Sequence, residues 1–435
     1  MEYRGRRALV MGLGVHGGGV GVARFLAERG AHVTVTDLRS AEQLTASLDA
    51  LSDLPITYVL GQHREEDFRS ADLVVRNPAV PRHSPYLQVA AAAGVPVVME
   101  MTLFFAECPS RKIIGVTGTK GKTTTTLLLA AIVREHGWPL VVAGNLRRSA
   151  LETLPRIEPD SWVVLELSSW QLEGLIPLQR SPHVAIITNI MPDHLDRYAD
   201  YAEYAQSKGL ILRWQRPEDY AVLNGASPPV RPLAEAATGR VVWFDPASEA
   251  PGWDTAHLYG DHNRANVAAA TAAARVLGIP AAVIDRAVAA FPGVPHRLET
   301  IREFEGVRYI NDTAATMPDA MLAALDAIDR PTVLIAGGSD KGLDFDGVRA
   351  AVQGPGSMVT AVVLLAGTAT PKVAAACGEK VIGEAGDLAA ALATARAAAE
   401  PGSVVLLSPG CASFGMFASE FDRGERFRAL VQALT

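Results

Sequence analysis

The chain has 435 residues and a formal net charge of -7, with abundant Ala, Val, Leu and Gly and few aromatics. That is the profile of an α/β enzyme too long for one core and sized for about three domains. No polybasic run accompanies the acidic balance, which argues against a nucleic-acid surface. Cys108, Cys377 and Cys411 lie far apart, so neither a disulfide framework nor a thiolate metal site is expected. Met1-Glu2-Tyr3-Arg4 leads into a strand without an apolar signal region, and no apolar run reaches about eighteen residues. A cytoplasmic protein with no membrane insertion is expected.

The first hundred residues open with an apolar strand, Arg7-Ala8-Leu9-Val10-Met11, that ends in Gly12-Leu13-Gly14-Val15-His16-Gly17. A helix is predicted over residues 21–29, then a strand from Ala31 to Thr36 closing on Asp37. This βαβ unit suits a ligand with a diphosphate and a ribose, the phosphates meeting the helix start and the ribose the carboxylate. NAD is one such ligand, and any nucleoside diphosphate is another. Further strands are predicted at residues 57–60, 73–75 and 96–99. Asn77-Pro78-Ala79-Val80-Pro81 reads as a loop at a strand's C-terminal end, where open α/β sheets bind ligands. Glu107-Cys108-Pro109-Ser110 marks a domain boundary.

The strand Ile113-Ile114 then runs into Gly115-Val116-Thr117-Gly118-Thr119-Lys120-Gly121-Lys122-Thr123-Thr124, followed by an apolar helix. Strand, glycine-rich loop and helix together cradle phosphates. Backbone N–H groups curl around the oxygens, Lys122 reaches the outer phosphates, and the Thr123 hydroxyl suits Mg²⁺. Val116 stands where the usual pattern has its first glycine, so the loop is a variant. A strand at 140–144 ends in Asn145. Residues 162–165 are apolar and end on Glu166, whose carboxylate needs a partner in such a run: a Mg²⁺ shared with Thr123, or a lysine. The strand at 184–190 delivers Asp193, His194 and Asp196, a cluster suited to metal or phosphate work. A helix over 201–214 carries Lys208, and strands at 220–224 and 240–244 continue the sheet. Gly260-Asp261-His262-Asn263-Arg264-Ala265-Asn266 opens an Ala-rich helix running to Leu277. Asn263 and Asn266 share one face of its first turn, able to clamp a phosphate or simply to cap the helix.

A second boundary falls at Phe291-Pro292-Gly293-Val294-Pro295. Strands at 307–310, 332–336, 362–366 and 404–407 follow, three of them ending in loops rich in Gly, Ser or Asp. They predict a third α/β domain with Lys341 and Ser413 as candidate ligand contacts.

Several of these pieces resemble, in order and across almost the whole chain, the Mur ligases. They are the Gly118 to Thr124 loop, Gly144-Asn145-Leu146, Glu166-Leu167-Ser168-Ser169-Trp170-Gln171-Leu172-Glu173 and Asp193-His194-Leu195-Asp196-Arg197-Tyr198. His262-Asn263-Arg264-Ala265-Asn266, Pro295-His296-Arg297, Asn311-Asp312-Thr313 and Ser408-Pro409-Gly410-Cys411-Ala412-Ser413 complete the set. The resemblance implies three α/β domains. Residues 1–107 form a Rossmann-like domain for a UDP substrate, 108–294 a central P-loop ATPase-like domain with a mostly parallel sheet, and 295–435 a Rossmann-like domain for an amino acid. It implies an ATP-dependent, ADP-forming ligase, most like the branch that adds D-glutamate to UDP-N-acetylmuramoyl-L-alanine in peptidoglycan precursor synthesis. The Glu-Leu-Ser-Ser-aromatic-Gln-Leu-Glu phrase and the pair Asp37 and Arg39 point to that branch.

By resemblance, Gly118, Thr119, Lys120, Gly121, Lys122, Thr123 and Thr124 bind ATP together with Asn263, Asn266, Arg297 and Asp312, and domain closure completes the site. Thr123 and Glu166 hold one Mg²⁺. His194 and a carbamylated Lys208 support a second. Lys122, Glu166, His194 and Lys208 form the catalytic set. Gly14, Val15, His16, Asp37, Arg39 and Asn145 take the UDP substrate, while Thr316, Lys341 and Ser413 take glutamate. A monomer acting on small molecules, with no nucleic-acid partner, is expected, and NAD falls away. Three departures bear on the acceptor: Ala314 replaces a family lysine, residues 413–421 shift an aromatic and lose an acid, and Asn77-Pro78-Ala79 replaces Ser-Pro-Gly. An acceptor such as L-glutamate is the alternative within the family. A nucleotide-binding protein without ATP turnover is the alternative outside it.

Overall fold

The structure, a computed structural model, describes residues 2–15, 17–146, 148–193, 197–247, 250, 252–253 and 258–435. His16 and His194 lie outside the described residues. Three sheets carry the fold. The first contains β1 (Arg7–Met11), β2 (His32–Asp37), β3 (Thr57–Leu60), β4 (Leu73–Arg76) and β5 (Val97–Val98), in the order β3-β2-β1-β4-β5 and parallel throughout. The second contains β6 (Ile113–Thr117), β7 (Leu140–Gly144), β8 (Trp162–Glu166), β9 (Val184–Ile187), β10 (Tyr220–Asn224) and β11 (Arg240–Phe244), also all parallel. Its order is β11-β10-β9-β6-β8-β7, which puts β6 in the interior between β8 and β9. Parallel strands are covered on both faces, and that is why β6, β8 and β9 read as unbroken apolar runs.

The third sheet contains β12 (Glu299–Phe304), β13 (Val307–Asn311), β14 (Thr332–Gly337), β15 (Val359–Leu365), β16 (Val381–Ala385) and β17 (Val404–Leu407), in the order β12-β13-β17-β14-β15-β16. Only β12 runs antiparallel. The edge strands β12 and β16 had no counterpart in the sequence reading. The helix carrying Lys208 is Tyr201–Gly209, shorter than predicted, and the first helix, Gly18–Glu28, starts three residues earlier.

The chain divides into two compact units, Met1–Pro251 with Ala265–Val288, and Gly252–Arg264 with Ala289–Thr435. In the first, one continuous core runs from Val10 and Val35 of the first sheet and Leu26 of the helix Gly18–Glu28 to Val163, Leu165 and Ala185 of the second. The helix Glu100–Glu107 joins them, burying Met101, Leu103, Phe104 and Phe105, each contributing about 2 kcal/mol of apolar burial. Glu100 opens this helix. Its buried carboxylate accepts from the Ser149 hydroxyl at 2.5 Å and the Ala150 N–H at 2.8 Å, and burial pushes it up to about 7. In the second unit, alternate residues of each strand enter opposite cores. Ile310, Leu334, Leu364 and Leu406 face one, and Tyr309, Val333, Val363 and Val405 the other. Among the described residues no helix is long and apolar enough to cross a membrane.

Candidate active site

β6 ends at Thr117, and its loop turns into the helix Lys122–Glu135. Two glycines make the turn possible. Gly121 caps the helix at φ 81°, and a Cβ there would come 2.1 Å from Asn266 Oδ1; at Gly118, φ 149°, it would come 1.9 Å from Thr188 Oγ1. Both positions exclude a side chain by contact and not by φ alone. Thr125 Oγ1 donates to Asn266 Oδ1 at 3.3 Å, and Asn266 also lies against Gly121 at the helix start. Gly115, by contrast, packs: a Cβ there would meet Pro182 Cγ at 2.7 Å, which explains a glycine one place from the usual pattern. Asn189, which the sequence reading missed, accepts from the Lys120 N–H through Oδ1 and from the Thr119 N–H through its carbonyl, both at 2.9 Å. It ties the loop to the segment that follows β9.

Two amines meet at this loop. Lys122 Nζ donates to the carbonyls of Gly118 at 3.0 Å and Thr119 at 2.8 Å, and Lys208 Nζ donates to the same Gly118 carbonyl at 2.9 Å. Lys208 is 2% exposed and lies 4.6 Å over the Tyr204 ring. Burial, then repulsion from Lys122, drives it down to about 7, with Asp193 opposing.

Glu166 ends β8 beside Val116 of β6 and Gly144 of β7. It is 2% exposed; Oε1 accepts from Asn145 Nδ2 at 3.1 Å, and Oε2 has no hydrogen-bond partner among the described residues. A desolvated carboxylate oxygen without a donor is costly unless a cation meets it. This oxygen therefore fits a divalent ion. Among the described residues no group of three or more His, Cys, Asp or Glu could hold a metal by itself.

In the first sheet, Gly12 and Gly14 adopt φ 90° and 66°. Asp37 receives the Gly14 N–H at 3.1 Å and the Arg39 N–H at 2.9 Å, so its carboxylate ties the two expected substrate loops together. Val15 and Arg39 are exposed, and so is Asn145, whose Nδ2 donates to Glu166 Oε1.

In the second unit, Asn263 Nδ2 donates to the Tyr259 carbonyl at 2.9 Å. Asp312, at the end of β13, is buried and pushed up to about 7 by that burial. It accepts from Ser408 Oγ at 2.8 Å and the Leu298 N–H at 3.1 Å. Arg297 is exposed between His296 at φ 69° and Leu298 at φ 44°, two non-glycine residues in the left-handed region. Lys341 Nζ donates to Thr316 Oγ1 at 3.1 Å, and both line a small depression with Ser339, Asp340 and Cys411. Ser413 is buried and is not among the residues lining that depression. Behind Cys411 lies Arg423, fully buried, which sequence reasoning missed. It donates to Thr313 Oγ1 at 2.9 Å, the Thr313 carbonyl at 3.0 Å and the Cys411 carbonyl at 3.4 Å, and burial lowers it to about 10.

Known proteins resemble the chain throughout. Residues 6–99 match the Mur ligase MurD-like N-terminal domain, 116–256 the Mur ligase middle domain, and 296–411 the Mur ligase glutamate ligase domain. The UDP-N-acetylmuramoylalanine--D-glutamate ligase of Roseiflexus sp. (strain RS-1) is 53% identical, the alignment covering 100% of both chains. That of Geobacter metallireducens is 40% identical over 100% of this chain and 99% of the relative. Among solved structures, MurC of Thermotoga maritima shares the fold with a TM-score of 0.60 at 20% identity, covering 98% of this chain and 99% of that one. MurF of the same organism, in complex with ADP, aligns with a TM-score of 0.58 at 15% identity over 92% and 95%. The chain belongs to the Mur ligase family and within it is most like MurD.

Proposed function

We propose that the protein uses ATP to join D-glutamate to UDP-N-acetylmuramoyl-L-alanine, a step of peptidoglycan precursor synthesis. The observation that carries this reading is the 53% identity, end to end, with a ligase of that name. The geometry supports the chemistry. A carboxylate is a poor acyl donor, so an oxygen of the substrate's terminal carboxylate attacks the γ-phosphorus of ATP, the bond to the bridging oxygen breaks, and ADP leaves. The glutamate nitrogen then attacks the acyl carbon of the acyl phosphate, the carbon–oxygen bond breaks, phosphate departs, and nitrogen gives up a proton.

Lys122 and the N–H groups opening the helix Lys122–Glu135 hold the outer phosphates, a preorganised positive site for the charge that gathers there. Mg²⁺ neutralises charge as anion meets anion; Thr123 and Glu166 would hold one ion, and His194 a second with Lys208. A buried lysine lowered to about 7 presents a free amine, the form that adds to carbon dioxide as a carbamate with loss of a proton. Asn266 supports the loop from its helix, while Asn263, Arg297 and Asp312 are assigned to ATP. Gly14, Val15, His16, Asp37, Arg39 and Asn145 are assigned to the UDP substrate, and Thr316, Lys341 and Ser413 to glutamate. The reading includes a monomer working in the cytoplasm, where ATP and nucleotide sugars are available, and the domain limits 1–107, 108–294 and 295–435.

Phosphate release from ATP with Mg²⁺, UDP-N-acetylmuramoyl-L-alanine and either D- or L-glutamate tests the reading. Turnover with D-glutamate supports it. Turnover with L-glutamate alone would move the acceptor, tracing to Ala314, and no turnover with either would overturn it.

A further inference from the structure

The stretch from Glu166 to Glu173 is used only at its first residue by the chemistry above; its second half faces a different task. Trp170, in the one-turn helix Ser169–Leu172, lies 4.1 Å beneath the guanidinium of Arg197. Arg197 spreads its donors over one loop of the first sheet: Nη1 to the Ala79 carbonyl at 2.8 Å, Nη2 to those of Pro78 at 2.5 Å and Val80 at 3.1 Å. The Val80 carbonyl also accepts from Arg76 Nη1 at 2.7 Å, and Arg76 Nη2 pairs with Glu173 Oε2 at 2.5 Å in a largely buried ion pair.

Two chains of contact leave this clamp. At one end Asn77 Nδ2 donates to the Gly12 carbonyl at 3.2 Å, reaching the glycine loop that opens the first domain. At the other, Tyr198 follows Arg197; its ring lies 5.3 Å from that of Tyr204, whose hydroxyl pairs with Thr119 Oγ1 of the phosphate loop at 3.0 Å. A planar fork on three carbonyls fixes a loop as a unit, which a lysine's single point of charge does not.

We propose that Arg197 is a positioning residue that couples the first-domain substrate loop to the phosphate loop, seated on Trp170 and backed by the Arg76–Glu173 pair. The ligase reading supplies the names of the two ligands; the coupling itself stands on the contacts.

The test measures binding of a non-hydrolysable ATP analogue with Mg²⁺ by calorimetry, with and without saturating UDP-N-acetylmuramoyl-L-alanine, on the full chain. In the wild type the nucleotide substrate should tighten the analogue by about fivefold or more. In Arg197→Met that factor should fall below about twofold while the analogue alone binds within about twofold of wild type. The KM for the nucleotide substrate should rise about tenfold, and the KM for ATP at saturating nucleotide substrate should rise by the roughly two- to threefold that the lost coupling removes. Arg197→Lys should recover little of either, and Trp170→Leu, which leaves the hydrogen bonds, should give an intermediate factor. Unchanged coupling in Arg197→Met, or an equal loss of analogue affinity with and without the nucleotide substrate, overturns the proposal. Should Arg197→Met fail to fold, unchanged coupling in Trp170→Leu does so. A wild type that turns over without coupling defeats this proposal and leaves the ligase reading. One that never turns over defeats the ligase reading, and coupling between UDP and the analogue still decides this one.

Discussion

The loop after β6 and the loops after β13 and β17 both bury charge at strand ends, but they satisfy it differently. At the first, the amines of Lys122 and Lys208 converge on one carbonyl and repel each other, an arrangement that becomes favourable when an anion arrives. At the second, Asp312 and Arg423 are each surrounded by hydroxyls and backbone groups of the loops themselves. The paired amines at the phosphate loop meet on a carbonyl they share, whereas Arg423 is spent on the C-terminal loops it ties together. The contrast says where a mutation will cost activity and where it will cost stability.

Lys122→Ala should remove about a thousandfold of kcat/KM, equal to about 4 kcal/mol, in phosphate-release assays. Its unfolding free energy should move by no more than about 1 kcal/mol. A matching collapse of stability would erase the contrast. Arg423→Met should do the reverse, costing about 3 kcal/mol in urea unfolding, because the carbonyls of Thr313 and Cys411 lose their donor. A stable but inactive Arg423→Met would move this arginine into the ligand site. Lys208→Ala should lower turnover about a hundredfold, with part of it restored by a short carboxylic acid supplied in solution. Full activity without the acid would remove Lys208 from the site.

The smallest effect concerns pH. Asp312 has its pKa raised from 3.8 to about 7, so between those values the folded protein holds a proton the unfolded chain has released. Its contribution to stability is therefore fully present below about pH 4 and lost as pH rises through about 7, amounting to about 2 kcal/mol between pH 5 and 7. Asp312→Asn should flatten that slope in urea titrations. An unchanged slope would assign it elsewhere, with Glu100, shifted the same way, as the next candidate.

Much of the central sheet was legible because parallel strands buried on both faces are apolar without interruption, so a charge such as Glu166 at a strand end stands out. The strands that escaped, β12 and β16, are the two edges of the third sheet. Glu299-Thr300-Ile301-Arg302-Glu303-Phe304 and Val381-Ile382-Gly383-Glu384-Ala385 mix charges and small residues with apolar ones, as half-solvated edges do. Arg423 reads as one surface arginine among Glu420, Asp422, Glu425, Arg426 and Arg428; only packing buries it. A signal was present in Gly424, a glycine inside a helix, where a Cβ would come 2.3 Å from His296 Nδ1. Glu100 carries the same mark as Glu166, a carboxylate in an apolar run, but no motif surrounds it. What stayed illegible depends on which segments distant in sequence come together, as with Arg197 on the 78–80 carbonyls.

The shared core of the first two sheets has a consequence for how the molecule comes apart. Val10 and Val163 belong to one cluster with the helix Glu100–Glu107 between them, so neither sheet can be solvated without stripping apolar surface from the other. Heating should therefore melt three sheets in two cooperative steps, and a calorimetric trace should resolve into two endotherms, the larger belonging to the β1-to-β11 half.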